Sequence, residues 1–547
     1  MLLVLLTGCL FQPTPYVPPD VQELDPELTM ASPAAGSYVD AGAVTVEGTA
    51  IGYDTVLLNG EAVAVSADGS YAHTLQLLPG VTSMELLGTD ADGDERFIRQ
   101  SVLAGQFGDP DQMVSDGAVV RLNQPALNRI VESAELAIDA STLEASAMAM
   151  NPVYEQNIGI LNVNANLTNL EFDDVQLMGD PTTGALRVFG TVPNVVADLS
   201  VTGGVFFEPF DATVHATATS VEITADVLIS AVSGKPVVQV SSADATVIGM
   251  QTESEGLPLE LDSGLITGAL EGALETMLPT MITNQVPGLI QTQLDTLDLN
   301  FPLNIIGVPV DIAAEWGRVD IDNDGVVIGL DLDIEAPTTG DAGTPGYLTG
   351  AGAPTLSRSS DVSVGLSDDL VNLLLFRAWQ ADGLVFELDT DALAAQDVDG
   401  SLAMIGDGTV HVDPALPPVV VEREGNVQAM IGELGVRLDT PEGGFGQTIE
   451  IAAAVTSPVD LGVLEEDVVL ALGDADVSLG TRYNDWGAVD NEAMTRMLEV
   501  AVPIESVMSV FSDIIVPVPQ LQGIDLLDIE IDRDAAGRHT TLEMSIE

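Results

Sequence analysis

Three groups of residues in this 547-residue sequence have types and spacings that could do chemistry. Cys9 is the single cysteine of the chain. An internal disulfide needs two thiols, so none forms here. A reactive thiolate needs a nearby cation to lower its pKa, and no Lys, Arg or His is close in sequence. The second group is Asp320-x-Asp322-x-Asp324-Gly325, with Asp331 at the twelfth position, which opens like a calcium loop. Its flanks alternate as strands rather than helices, so an acidic hairpin turn is expected, with Asp320, Asp322 and Asp324 only weak calcium candidates. Asp90-x-Asp92-x-Asp94 reads the same way. The third group, His73, His215, His411 and His539, is dispersed without metal-ligand spacing. A nucleophile elbow, a phosphate-binding loop and a dinucleotide fingerprint are all missing, and paired carboxylates carry no information among 85 acids. The sequence therefore predicts a protein without enzymatic activity, cofactor or built metal site.

The surroundings of Cys9 give it another use. Leu6-Thr7-Gly8-Cys9, behind the short apolar run Leu2–Leu6, resembles the lipobox of bacterial lipoproteins, in which the cysteine is lipidated and the segment before it is removed. The resemblance implies a signal peptide at 1–8, with its true start a few codons earlier because no basic n-region precedes it. Cys9 becomes the lipid anchor. Leu10 in place of Asp implies an outer-membrane destination. Prolines 13, 15, 18, 19 and 26 then make 9–28 a stiff tether.

Composition narrows the rest. Hydrophobic residues make up 46% with a mean hydropathy of +0.30, and no apolar run beyond the amino terminus approaches the roughly 18 residues of a spanning helix. The apolar residues must face a core or an internal cavity. Fifteen basic against 85 acidic residues give a net charge of −70, which excludes nucleic acid as a partner and opposes anionic lipid headgroups unless divalent cations intervene.

Residues 29–104 read as short strands separated by turns, including Thr55–Leu58, Asn59-Gly60 and Tyr71–Leu77. They predict a small sandwich that resembles bacterial Ig-like spacer modules. After the polar linker 105–117 the pattern changes. In the first helical stretch, Leu127, Ile130, Val131, Ala134, Ala137 and Ile138 recur at helical spacing. Strands are expected at 158–165, 170–177, 185–192, 195–199, 212–218, 221–229 and 237–247. A second, Pro-kinked helix follows, with Leu274, Leu278, Met281, Ile282 and Leu289 on its apolar stripe. After the Pro/Gly/Thr-rich connector 336–360 the plan restarts: strand 362–365, helix 368–381, strands, helix 491–514 and a final strand 526–545. Residues 116–335 and 361–547 are thus expected to be two copies of one plan.

Five ordered stretches in 116–547 resemble the family of bactericidal/permeability-increasing protein, lipopolysaccharide-binding protein and cholesteryl ester transfer protein. They are VVRLNQPALNRIVESAELAI, VEITADVLISAVSGKPVVQVSSADATVIGM, SSDVSVGLSDDLVNLLLFRAWQADGLVFELD, ALPPVVVEREGNVQAMIGELGVRL and VPVPQLQGIDLLDIEIDRD. The resemblance implies a mostly β, α+β chain of two tandem tubular lipid-binding barrels in a boomerang, with an apolar pocket between helix and sheet in each. Pocket-lining residues would be Leu127, Ile130, Val131, Ala134, Ile138, Leu274, Leu278, Met281, Ile282 and Leu289. Two departures stand out. Serines replace the disulfide of the vertebrate members in VVQVSSADATV. The first barrel also has only Arg121, Arg129, Arg187, Lys235 and Arg318 as basic residues, which argues against the family's capture of phosphorylated glycolipid. The expected protein is a lipid-anchored envelope protein, periplasmic or at the cell surface, that binds hydrophobic ligands in apolar barrel pockets, with storage, sensing and transfer left open. The competing expectation is an adhesion or scaffold protein with closed barrels and a calcium-dependent acidic face.

Overall fold

The computed structural model describes residues 28–137, 145, 147–149, 151–158, 161–205, 208–258, 300–305, 307–337, 343–350, 352–389, 408–423, 425–439, 448–464, 467–484, 515–517, 526–533 and 538–546, with scattered residues between 267 and 294. The chain is mostly β. Two sheets face each other in the amino-terminal sandwich. Leu28–Ser32, Gly42–Ala50 and Ser70–Leu77 form one; Tyr38–Val39, Glu95–Ala104, Gly80–Thr89, Thr55–Leu58 and Glu61–Ala62 form the other. Alternate residues such as Val46, Leu58, Met84, Leu86 and Val102 fill the space between them. Asn59 and Gly60, both at positive φ (49° and 80°), make the tight turn that two-residue hairpins require.

A seven-stranded sheet occupies the middle of the molecule, in the order Asn300–Ile305, Val308–Ile321, Gly325–Glu335, Val114–Asn123, Val362–Ser367, His539–Ile546, Leu526–Arg533. Val114–Asn123 and Val362–Ser367 pair antiparallel, with Val120 opposite Val364. Each runs straight into a helix, Gln124–Ala137 and Asp368–Gln380. The second helix begins where it does because Ser367 caps it, accepting from the Asp369 N–H, while Asp368 and Asp369 in the first turn and Arg377 in the last suit the helix dipole.

Each helix is followed by the same strand plan. In the first copy the strands are Tyr154–Ile158, Leu161–Glu171, Gln176–Thr182, Ala185–Val205, Glu208–Val232, Lys235–Ile248 and Gln251–Glu255. In the second they are Phe386–Asp389, Thr409–Pro414, Val419–Arg423, Asn426–Asp439, Thr448–Leu464, Asp467–Leu472 and Asp476–Asn484. In both copies the first pairs the second, the second and third pair the fourth, the fourth pairs the fifth, and the sixth and seventh pair the fifth. An identical pairing scheme built twice is a structural repeat.

Several strands differ from the sequence expectation. The stretches 185–192 and 195–199 are one strand of 21 residues that passes through Asn194 at φ 53°. Likewise 212–218 and 221–229 lie within one strand of 25 residues, because Thr219-Ser220 does not interrupt the ladder. Of the expected strand 158–165, residues 161–165 do lie in a strand, Leu161–Glu171, while Ile158 ends the preceding strand that pairs back on it, opposite Leu161. The final strand is also a hairpin, Leu526–Arg533 with His539–Ile546. The expected helix 491–514 lies outside the described residues.

The sandwich does not hang from the rest as a spacer. Val81 and Leu103 are buried with Leu348, Leu416, Val419, Val421 and Met430 of the second copy and the connector before it. The two expected linkers also pair with each other, Gln106–Gly108 against Tyr347–Thr349.

Candidate functional site

The inner face of the first curved sheet carries a floor without charge. Two adjacent ladder rows run across four strands: Leu177, Gly190, Ile223, Ala245 and, beside them, Gly179, Val188, Ala225, Ala243. None of these side chains ionises or hydrogen-bonds. Gly179, Gly190 and Ala225 are buried, whereas Leu177, Val188, Ile223, Ala243 and Ala245 keep partial exposure; Ile223 and Ala245 pack on one flanking buried cluster and Val188 on the other. One cluster, around Ala165, Ala197, Leu199 and Val214, lies toward the far end of the sheet. The other, around Leu122, Leu127, Leu186 and Val227, lies against the middle sheet. The charges occupy the opposite face. Arg187 Nε donates to Asp226 Oδ1 at 2.8 Å, and this bond holds the Asp226 carboxyl below its ordinary range.

The helix Gln124–Ala137 closes one side of the floor. Its Gln124 amide bonds to Asn128 Oδ1 at 3.0 Å and to the carbonyl of Gly179. Leu127 and Val131 are buried, and a β-carbon on Gly179 would come within 3.2 Å of Val131. Ile130, one residue before Val131, is 37% exposed and takes no part in this seat. Among the residues expected to line a pocket, the structure therefore brings Leu127 and Val131 onto the sheet and leaves Ile130 facing outward. The Ala134 side chain, Ile138, Leu274, Leu278, Met281, Ile282 and Leu289 lie outside the described residues, as does Cys9. Ile290 and Leu294 of the second helical stretch pack on the inner cluster, and Gln291 bonds to the edge strand through Val238 N (3.2 Å) and Pro236 O (2.8 Å).

The repeat supplies an internal reference for this floor. The hairpin Gln176–Thr182/Ala185–Val205 closes at Thr182 opposite Ala185, and its counterpart closes at Arg423 opposite Asn426, with Gly184 and Gly425 at φ 86° and 83° between them. Aligning the two turns places Val420 on Gly179, Ala429 on Val188 and Ile431 on Gly190. Through the next ladder, Val455 falls on Ile223 and Ser457 on Ala225. All five second-copy residues are buried, and Ile431 is 1% exposed. Above them Asn372 bonds to Val420 N (2.7 Å), Val420 O (3.1 Å) and Leu348 O (3.2 Å), and Leu373 to Phe376 fill the interior. Where the first copy has two glycines, the second has a valine and an isoleucine. The glycines were missed as site residues; their signal was two strand-interior glycines, in LMGDP and VFGTV, positions that ordinarily weaken a strand.

The acidic turn is occupied by arginines. Arg121, 4% exposed, grips Asp322 with both terminal nitrogens (3.0 and 2.9 Å), Arg358 bonds to Asp322 and Asp324, and Arg318 bonds to Asp320. The Arg121 bonds hold the Asp322 carboxyl down at about 2. Asp322 also accepts from the N–H groups of Asp324 and Gly325, which is the work of a turn residue. Among the described residues no group of three His, Cys, Asp or Glu is disposed to hold a metal ion.

Residues 26–106 match the family described as glucodextranase, domain B. No curated protein matches the chain. Solved structures similar to it include lipopolysaccharide binding protein, at 13% identity and TM-score 0.42, covering 79% of this chain and 99% of that one. P47 of Clostridium botulinum E1 covers 79% of this chain and 100% of its own at 10% identity and TM-score 0.28. Latherin covers 32% of this chain and 87% of its own at 15% identity and TM-score 0.18. At such scores these likenesses do not bear on function.

Proposed function

We propose that this chain is a non-catalytic binding protein that holds an apolar ligand, most simply the acyl chain of a lipid, on the inner face of the first curved sheet. The observation that carries the reading is the contrast at matched positions: Val188 and Ile223 stay partly exposed beside the buried Gly179 and Gly190 on an uncharged floor, whereas Val420, Ala429, Ile431 and Val455 are all buried in the second copy. Burying an acyl chain of a dozen methylenes contributes on the order of 10 kcal/mol at about 0.8 per methylene, which offsets the cost of association without any polar contact. A tubular lipid-binding arrangement of the two copies belongs to the same proposal. So does anchoring through a lipidated Cys9, with the arm before residue 28 as a tether in a bacterial envelope. The acidic surface, at −70, favours ligands that present a neutral or zwitterionic headgroup.

Native mass spectrometry of the purified chain, followed by organic extraction, tests the reading. One lipid-sized mass per chain, displaced by added palmitate, is expected. A bare mass that ignores both palmitate and phosphatidylcholine vesicles would sink it.

A further inference from the structure

We infer that the amino-terminal sandwich is a permanent wall of the second copy, keyed into it by Glu433, so that the chain before residue 28 departs from the closed copy and the open copy is left free. The last clause rests on the function proposed above; the docking does not.

The joint has three layers. Its apolar centre sets Val81 and Leu103 of the sandwich against Val419, Val421 and Met430 on the outer face of the second curved sheet. Around it, Arg423 donates to Pro79 O (2.8 Å) and Val81 O (3.0 Å), and Arg99 donates to Leu479 O. The key is Glu433, 2% exposed at a bulge between Ile431 and Leu434, whose carboxylate accepts from the Ser101 N–H of the sandwich and from Arg482. Its φ of 50° is a conformation that non-glycine residues rarely adopt, and such strain persists only where the surroundings over-determine it. Here it aims a buried carboxylate across the joint.

The first copy shows that the choice of face is specific. Its matching outer positions are Met178 for Val419, Asp180 for Val421 and Phe189 for Met430. Thr191 replaces Gly432, a glycine whose added β-carbon would lie 2.7 Å from Val81. A charge and a branched side chain thus stand where the sandwich needs apolar contact and open space.

Ser83 Oγ and Ser478 Oγ face each other across the joint at 3.5 Å. In a Cys9→Ser background, the pair Ser83→Cys and Ser478→Cys is expected to form a disulfide on mild oxidation, in nearly every chain and without lowering Tm. Ser83→Cys with Thr224→Cys, on the matching face of the first copy, stays unlinked. No cross-link in the first pair, with separate melting of the sandwich, overturns the inference. Should the cysteines disturb folding, Gly432→Ala gives an independent reading against Val81→Ala: its β-carbon would lie 2.7 Å from Val81 and 3.1 Å from Leu416, so a docked sandwich loses several degrees in Tm that Val81→Ala partly restores, and a free one shows the same loss with either residue at 81. Cross-linking without any bound lipid would support the docking and count against the ligand proposal alone.

Discussion

The two copies share a ladder scheme, a two-residue hairpin turn and an asparagine on the helix that follows the middle strand, Asn128 and Asn372. They differ in what covers each face of one hairpin. In the second copy both faces are buried, the inner one under the helix Asp368–Gln380 and the outer one under the sandwich. In the first copy Leu177, Val188 and Ile223 on the inner face keep partial exposure, and the outer face exposes Met178 (52%) and Phe189 (36%). One ladder scheme therefore carries two different surfaces through a handful of side chains. Inside, two glycines stand where the second copy has Val420 and Ile431; outside, one aspartate and one threonine stand where it has Val421 and Gly432.

The contrast is most exposed to failure at Ile431 and Gly190. Ile431→Ala removes a fully buried side chain from the filled copy and is expected to cost about 2–5 kcal/mol in denaturant unfolding. A change below 1 kcal/mol would mean that the second interior is not close-packed. Gly190→Ile copies the closed arrangement into the first copy. Gly190 does not use a left-handed φ, but a β-carbon there would stand 3.2 Å from Leu177, so Leu177 must shift to admit the isoleucine. With its unfolding midpoint measured alongside, the variant is expected to weaken palmitate binding at least a hundredfold, about 2.7 kcal/mol. Unchanged binding would place the ligand elsewhere.

The copies also differ in the ion pair that ties each helix start to the neighbouring hairpin, and the charges are exchanged. In the first, Arg121 on the strand holds Asp322 at the turn; in the second, Asp368 at the helix start holds Arg533 on the strand, at 2.9 and 2.7 Å. Arg121 keeps the Asp322 carboxyl at about 2, below the ordinary value near 4, so its contribution is present above about pH 4 and is lost as pH falls toward 2. Burial pushes Asp368 up to about 6 despite Arg533, so its contribution is complete below about pH 4 and is lost as pH rises through 6. Comparing wild type with Asp368→Asn should remove a decline of roughly 2 kcal/mol between pH 4 and 6. Comparing it with Asp322→Asn should remove a smaller one, about 1 kcal/mol, between pH 4 and 2, because Asp322 is a third exposed. Slopes of the same sign would show that the two clamps are not opposites.

Much of this plan was legible in local chemistry. Asn59-Gly60 and Ser233-Gly234 announce hairpins, and both pairs adopt the two positive φ values of that turn. The Leu-Ser-Asp-Asp step at 366–369 announces a capped helix, and the helix starts there. Strand ends were less legible, because Asn194 and Thr219-Ser220 look like breaks yet sit in long ladders whose neighbours supply the missing preference. The docking had a signal that local reading passes over. Val419-Val420-Val421 is apolar on consecutive positions, which in a strand requires cover on both faces, whereas Leu177-Met178-Gly179-Asp180 requires it on one at most. The floor could not be read from periodicity at all, since a groove and a closed core demand the same apolar face.

The smallest expected effect is the sharpest test of which face is free. Met178 and Phe189 are direct ladder partners on the outer side of the first copy, flanked by Asp180 and Arg187, and they match Val419 and Met430. Met178→Gln should therefore change stability by no more than about 0.5 kcal/mol, as exposed substitutions do. Met430→Gln, by contrast, would bury an amide against Val81 and Leu103 at a cost of roughly 2 kcal/mol. If Met178→Gln proved equally costly, the first copy's outer face would be covered in solution, and Asp180 and Thr191 would not be what keeps the sandwich on the second copy.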